Sequence, residues 1–143
     1  MGPLRPCSEE VWRLGSPVQR LLRRAPAKTH IGDTLIPEGA LIGVRYGAAN
    51  RDQQQFSCPA DIDLARKKPG AHLAFGSGIH HCLGAPLARR ELWWGFKTFL
   101  DRVEQARFTP GENDFTYQPH CLLRALKTLS IDLDLKEGTI DQP

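Results

Sequence analysis

Long apolar runs are missing from this chain, and no stretch approaches the roughly 18 consecutive apolar residues needed to cross a bilayer. That excludes a membrane-spanning helix. The amino terminus, Met1-Gly2-Pro3-Leu4-Arg5-Pro6, lacks the apolar core of a signal peptide, so the chain reads as cytoplasmic with no membrane partner. Cysteine is sparse. Cys7, Cys58, Cys82 and Cys121 are scattered and make no Cys-x-x-Cys pair, which argues against a disulfide framework. A surplus of one charge is missing as well: the formal charge of +3 is spread over interspersed acidic and basic residues, which gives no support to a nucleic-acid partner. Internal repeats, low-complexity tracts and linker-like segments are also lacking.

What is present is a length of 143 residues with 41% hydrophobic content, suited to one domain with an ordinary core. Within it, Leu73 to Glu91 reads LAFGSGIHHCLGAPLARRE and sets Cys82 between a glycine-rich loop and an amphipathic helix. Taken alone, a cysteine among apolar residues reads as a buried core residue. Gly76, Gly78 and Gly84, however, remove side chains where the backbone must turn tightly or lie close to a bulky flat partner. With a helix expected to begin near Leu83, Cys82 falls at its first turn, where the positive dipole end favours a thiolate and a soft metal ligand. His80, His81, Cys82, His120 and Cys121 include zinc-compatible donors, but their spacings match no familiar zinc module.

Phe75, Gly76, Gly78, His80, Cys82, Leu83 and Gly84 stand in the order Phe-Gly-x-Gly-x-His-x-Cys-Leu-Gly, which resembles the haem-binding loop of the cytochrome P-450 family. The resemblance implies haem b as the cofactor and Cys82 as the thiolate ligand of its iron, pushing electron density toward bound oxygen. It also sets His80 beside a haem propionate, while His81 falls at a variable position.

Upstream, Ser8 is expected to cap a helix from about Glu9 to Leu14 that Pro17 ends. Glu10 and Arg13 share one face of it and, by themselves, read as an exposed pair worth about a few tenths of a kcal/mol. Followed by Leu14-Gly15-Ser16-Pro17-Val18-Gln19, this Glu-x-x-Arg is similar to the family's K helix. The resemblance then implies that Glu10 and Arg13 join an arginine of the family's meander to hold the cysteine loop, with Arg66 the candidate and Arg51 in reserve. Arg23 sits where bacterial members place a propionate-binding arginine; Arg24 is the alternative one residue on.

Thr34-Leu35-Ile36 and Leu41-Ile42-Gly43-Val44 flank Pro37-Glu38-Gly39-Ala40 and read as a β-hairpin, similar to the family's small sheet. Ala48 to Asp52 resembles an Ala-Asn-Arg-Asp stretch of bacterial members, with Gln53 where a proline is common. Residues 56–70 are turn-rich and should be the meander, with Ile62 in the place of a usual phenylalanine. Lys67, Lys68, Arg89 and Arg90 read by default as a solvated surface, and the resemblance implies that they face an acidic electron donor such as a ferredoxin. Leu83, Leu87, Phe96, Leu100 and Val103 recur at helical spacing, with Pro86 in the first turn, and predict a long amphipathic helix, which the resemblance implies is the family's L helix. Residues 108–119 read as loop, 122–126 and 129–133 as short strands, and 137–143 as a frayed tail.

The expected fold class is α+β: the C-terminal portion of the mainly helical P-450 fold, with residues 1–143 as the C-terminal part of one domain and the upstream I helix absent. The family reaction inserts one atom of dioxygen into a small organic substrate with electrons from a redox partner. Without the I helix and its proton relay, this chain alone is expected to lack efficient coupled turnover. The alternative is a nonenzymatic, truncated haem-binding or interaction module.

Overall fold

The computed structural model describes residues 2–137 and shows an α+β chain carrying three two-stranded antiparallel sheets. Helix α1 runs over Leu4–Gly15. Pro6 is tolerated in its first turn, where a backbone N–H would have no acceptor in any case. The helix therefore starts earlier than the expected Glu9. Pro3 takes the N-cap position, and Ser8 lies inside the helix, where its Oγ donates to the Leu4 carbonyl at 2.8 Å instead of capping. At the other end Ser16 adopts a left-handed φ of 39°, its N–H bonds to the Trp12 carbonyl at 2.9 Å, and Pro17 prevents continuation.

The expected pairing of Thr34–Ile36 with Leu41–Val44 does not form. Strands β1 (Leu21–Arg24) and β4 (Leu41–Val44) pair with each other, from Leu21 opposite Val44 to Arg24 opposite Leu41. Between them in sequence, β2 (Thr29–Ile31) and β3 (Thr34–Ile36) make their own hairpin across Gly32-Asp33. Gly32, at φ 56°, supplies the left-handed residue that a two-residue hairpin loop demands, which suits β3 to pair with β2 across this local turn. The turn at Pro37 then returns the chain to β1, with Ala25 and Ala40 bonded at 2.9 Å beyond the last paired residues.

A short helix, α2 (Tyr46–Ala49), precedes the irregular segment that ends at the 3-10 turn Pro69–Ala71. The long helix α3 covers Ala85–Arg102, with Gly84 at its N-cap and Pro86 in the first turn. Leu83 lies ahead of it, and Val103 belongs to the next strand, β5 (Val103–Phe108), which pairs with β6 (Ile131–Leu135). The sequence carries no sign of β5 because the strand is exposed along nearly its whole length, leaving no alternation to read. The strand expected over 122–126 is instead a pair of isolated bridges, Val18 with Leu123 and Tyr117 with Leu126. That segment divides its backbone bonds between two neighbours: Leu122 accepts from Gln19 at 2.8 Å and Ala125 from Gln118 at 2.8 Å. Of the expected 137–143 tail, all but Glu137 lies outside the described residues.

The packed centre around α1 is markedly polar. Ala25, Tyr46, Phe56 and Ala85 are its buried apolar members, and Glu9, Glu10, Arg13, Ser16, Asn50 and His72 are buried beside them. Asn50 links three segments: Nδ2 donates to Ser16 Oγ at 2.8 Å, Oδ1 accepts the Leu73 N–H at 2.6 Å, and its carbonyl accepts Arg13 Nη1 at 2.9 Å. Asn50→Ala would leave the Leu73 N–H and the Ser16 hydroxyl short of partners. The expected loss is about 2–3 kcal/mol, read as a lower denaturant midpoint at unchanged slope.

Candidate functional site

The loop before α3 is shaped by its glycines and by two backbone bonds. Gly76 takes φ 71°, and a Cβ there would stand 3.1 Å from the His80 carbonyl oxygen, so only glycine fits without strain. Its N–H closes a turn on the Leu73 carbonyl at 2.9 Å. The 3-10 turn Gly78–His80 follows, and the Cys82 N–H donates to the Phe75 carbonyl at 2.8 Å, bringing Cys82 back beside the start of the loop. Cys82 precedes α3 and does not occupy its first turn, because Gly84 takes the cap position; the Cys82 carbonyl instead accepts the Ala85 N–H at 3.2 Å. The expected placement of the sulfur on the first helical turn is thereby corrected. Cys82 is exposed, and Ile79 and Leu83 close by in sequence are each 97% exposed.

Cys82, Phe75 and His80 line a cavity of about 340 Å³ together with Trp12, Val18 and Leu21. Trp12 packs against Phe75 with ring centroids 5.0 Å apart, and its indole N–H is buried without an acceptor among the described residues. Arg23 alternates with Leu21 on β1 and so shares its face, half-buried, with Nη1 on the Leu22 carbonyl at 2.9 Å. Arg24 is on the other face and donates to the Gly39 carbonyl at 2.7 Å. His81 approaches the Gly76 carbonyl at 3.3 Å.

Behind the loop, Glu10 and Arg13 are wholly buried, not an exposed pair. Glu10 accepts Arg13 Nε and Nη2 at 2.8 Å each, Arg66 Nε at 3.0 Å and the Asp63 N–H at 3.0 Å. Arg13 also donates to the carbonyls of Asn50 at 2.9 Å, Pro59 at 2.7 Å and Asp61 at 2.8 Å. Both guanidiniums stack on the buried Phe56 ring, 5.2 Å away for Arg13 and 5.6 Å for Arg66. Arg51 stands apart, donating to the Leu14 carbonyl at 3.0 Å. Burial pushes the Glu10 carboxyl up, but the hydrogen bonds from Arg13, Arg66 and Asp63 outweigh it and bring the pKa down to about 2.

A second buried carboxylate, Glu9, went unread in the sequence. It accepts Arg89 Nε at 2.7 Å and lies 2.9 Å from His72 Nε2. Burial raises its pKa, and the bonds to His72 and Arg89 overcome that and lower it to about 2. Arg89 is thus turned inward and leaves the expected donor-facing set, whereas Lys67, Lys68 and Arg90 are exposed. A zinc cluster does not assemble: among the described residues, no group of three or more His, Cys, Asp or Glu side chains is placed to hold a metal ion. No helix among them is long and apolar enough to cross a membrane.

Residues 1–121 match the family model described as Cytochrome P450. Among curated relatives, Cytochrome P450 107B1 of Saccharopolyspora erythraea is 39% identical over 124 residues, covering 86% of this chain and 30% of the relative. The 6-deoxyerythronolide B hydroxylase of the same organism is 35% identical over 126 residues, covering 88% of this chain and 31% of its own length. Among solved structures, substrate-free CYP150A6 of Mycobacterium marinum superposes with a TM-score of 0.89 at 33% identity, over 93% of this chain and 34% of that one. The tirandamycin C-bound monooxygenase TamI gives 0.86 at 38% identity, over 92% and 33%. The chain therefore spans about a third of the length of the relatives it matches.

The two depressed carboxyls set an acid limit on stability. Because each folded pKa lies near 2, below the ordinary 4.5, their contribution is complete above about pH 4.5 and is lost as pH falls toward 2. Each accounts for about 3 kcal/mol across that window. Urea midpoints measured between pH 6 and pH 2 should fall steeply below about 4.5, and Glu10→Gln should lower the plateau and flatten the descent.

Proposed function

Because the chain belongs to the cytochrome P450 family, we propose that it is the haem-ligand portion of a haem-thiolate monooxygenase, with Cys82 as the ligand to iron. Members of the family bind haem b and are oxidoreductases that insert one atom of dioxygen into a substrate. The observation that carries the reading is the Cys82 amide held by the Phe75 carbonyl at 2.8 Å, in a loop whose cysteine opens onto a largely apolar cavity. A soft sulfur, an apolar lining and the adjacent exposed Ile79 and Leu83 fit a flat, largely apolar metallated ring.

In this reading Cys82 binds the iron, Phe75 lines the cavity and holds the Cys82 amide, Gly76, Gly78 and Gly84 let the backbone approach the ring, and His80 with Arg23 holds its propionates. Haem b, when bound, supplies the oxygen-activating iron, and the thiolate donates electron density to it. Glu10, Arg13 and Arg66 hold the irregular segment behind the loop and keep the sulfur in place. Lys67, Lys68 and Arg90 form a basic surface for an acidic electron donor such as a ferredoxin. A small organic substrate, dioxygen as co-substrate, a cytoplasmic location and membership of residues 1–143 in one larger domain belong to the same proposal.

Haem titration followed by reduction under carbon monoxide tests it. Wild-type chain should develop the long-wavelength band of thiolate-ligated haem, and Cys82→Ala should abolish that band while leaving loose haem association. Survival of the band in Cys82→Ala would exclude the assignment. Substrate oxidation by this chain at a rate typical of the family would overturn the expectation that it lacks coupled turnover alone; the carbon monoxide band is what decides the ligand assignment.

A further inference from the structure

The loop carrying Cys82 is tied to the rest of the fold by a carboxylate far from it in sequence. Glu9 Oε1 accepts Arg89 Nε at 2.7 Å, and its Oε2 lies 3.1 Å from Arg89 Nη2 and 2.9 Å from His72 Nε2. His72 Nδ1 accepts the Ala74 N–H at 3.2 Å, which puts the ring proton on Nε2 and directs it to Glu9. Both partners then meet the same side chain. The Arg89 guanidinium stands over the Phe75 ring at 4.6 Å, and the His72 ring lies 6.0 Å from it at a tilt of 40°. Phe75, packed by Trp12 from α1 as well, offers its carbonyl to the Cys82 N–H at 2.8 Å.

Glu9 belongs to α1 and Arg89 to α3, so the bidentate pair also fixes how the two helices stand around Phe75. Glu9 is 4% exposed, whereas the Arg89 side chain is 33% exposed. Without the carboxylate, the guanidinium has a route to water and leaves the ring. The remaining structure does not have to unfold for that to happen.

We propose that Glu9 is a positioning residue for Cys82: its carboxylate fixes Arg89 and His72 against Phe75, and Phe75 in turn fixes the backbone of the cysteine. The clamp is a property of the polypeptide alone. Its consequence at iron rests on the reading of Cys82 as the ligand.

Amide hydrogen exchange on the full haem-free chain tests the clamp directly. Glu9→Gln and Arg89→Lys should each speed exchange of the Cys82 N–H by about tenfold while amides of β5 and β6 change by less than about twofold. Unchanged exchange at Cys82 in both variants overturns the proposal, as does acceleration at Cys82 that merely matches β5 and β6. If Glu9→Gln does not fold, Arg89→Lys decides, since it keeps the charge and loses the planar stacking on Phe75. On haem-loaded protein, the same variants should lower the fraction of thiolate-type carbon monoxide spectrum by about half or more. Lack of that band in the wild type refutes the ligand assignment and leaves the exchange result to decide the clamp.

Discussion

A buried ion pair from a single helical turn, Glu10 with Arg13, is the constraint on which the rest depends. Neither charge touches water, and such burial is tolerated only when every lone pair and proton finds a partner. The partners here are largely backbone. Arg13 takes the carbonyls of Asn50, Pro59 and Asp61, and Glu10 takes the Asp63 amide, so a segment without regular secondary structure obtains from side chains the bonds that a helix or sheet would have supplied. The shape of residues 50–66 is in this sense dictated from α1. Phe56, stacked by two guanidiniums, fills the space between them and excludes water from the pair.

The next carboxylate along, Glu9, points to a different part of the chain. Successive residues on a helix are about a quarter-turn or more apart, so adjacent glutamates address different neighbours. Glu10 organises the irregular segment, while Glu9 binds α3 and His72. One turn of α1 thus orients both the support behind the cysteine loop and the loop itself. The polar centre follows from this arrangement: with few buried apolar side chains among the described residues, the chain is held by charges whose partners are specified one by one.

What could be read in advance was what depends on neighbours in sequence. The glycine spacing before Cys82 and the Glu10–Arg13 spacing express local geometry, and both were legible, although the burial of the pair was not. Strand partnership was misread because Leu41–Val44 had two acceptable partners, and the choice was made by the turn at Gly32, not by the strands. Strand β5 was invisible because exposure on both sides erases periodicity. Glu9 was missed for a geometric reason: His72 and Arg89 lie 63 and 80 residues away, and a glutamate beside a more conspicuous glutamate carries no mark of such partners. Asn50 stood within a stretch already noted and His72 in none, but nothing local indicates that a polar side chain is buried.

The nesting of β2 and β3 between β1 and β4 has an entropic side. Joining Arg24 to Leu41 closes a loop, and a loop that already contains a hairpin has fewer free residues to immobilise than its length suggests. The short-range pair lowers the cost of the longer-range one, which favours assembly from the inside outward. Gly32, at the innermost turn, is then a residue of consequence for strands other than its own, including β1, where Leu21 lines the cavity beside Cys82.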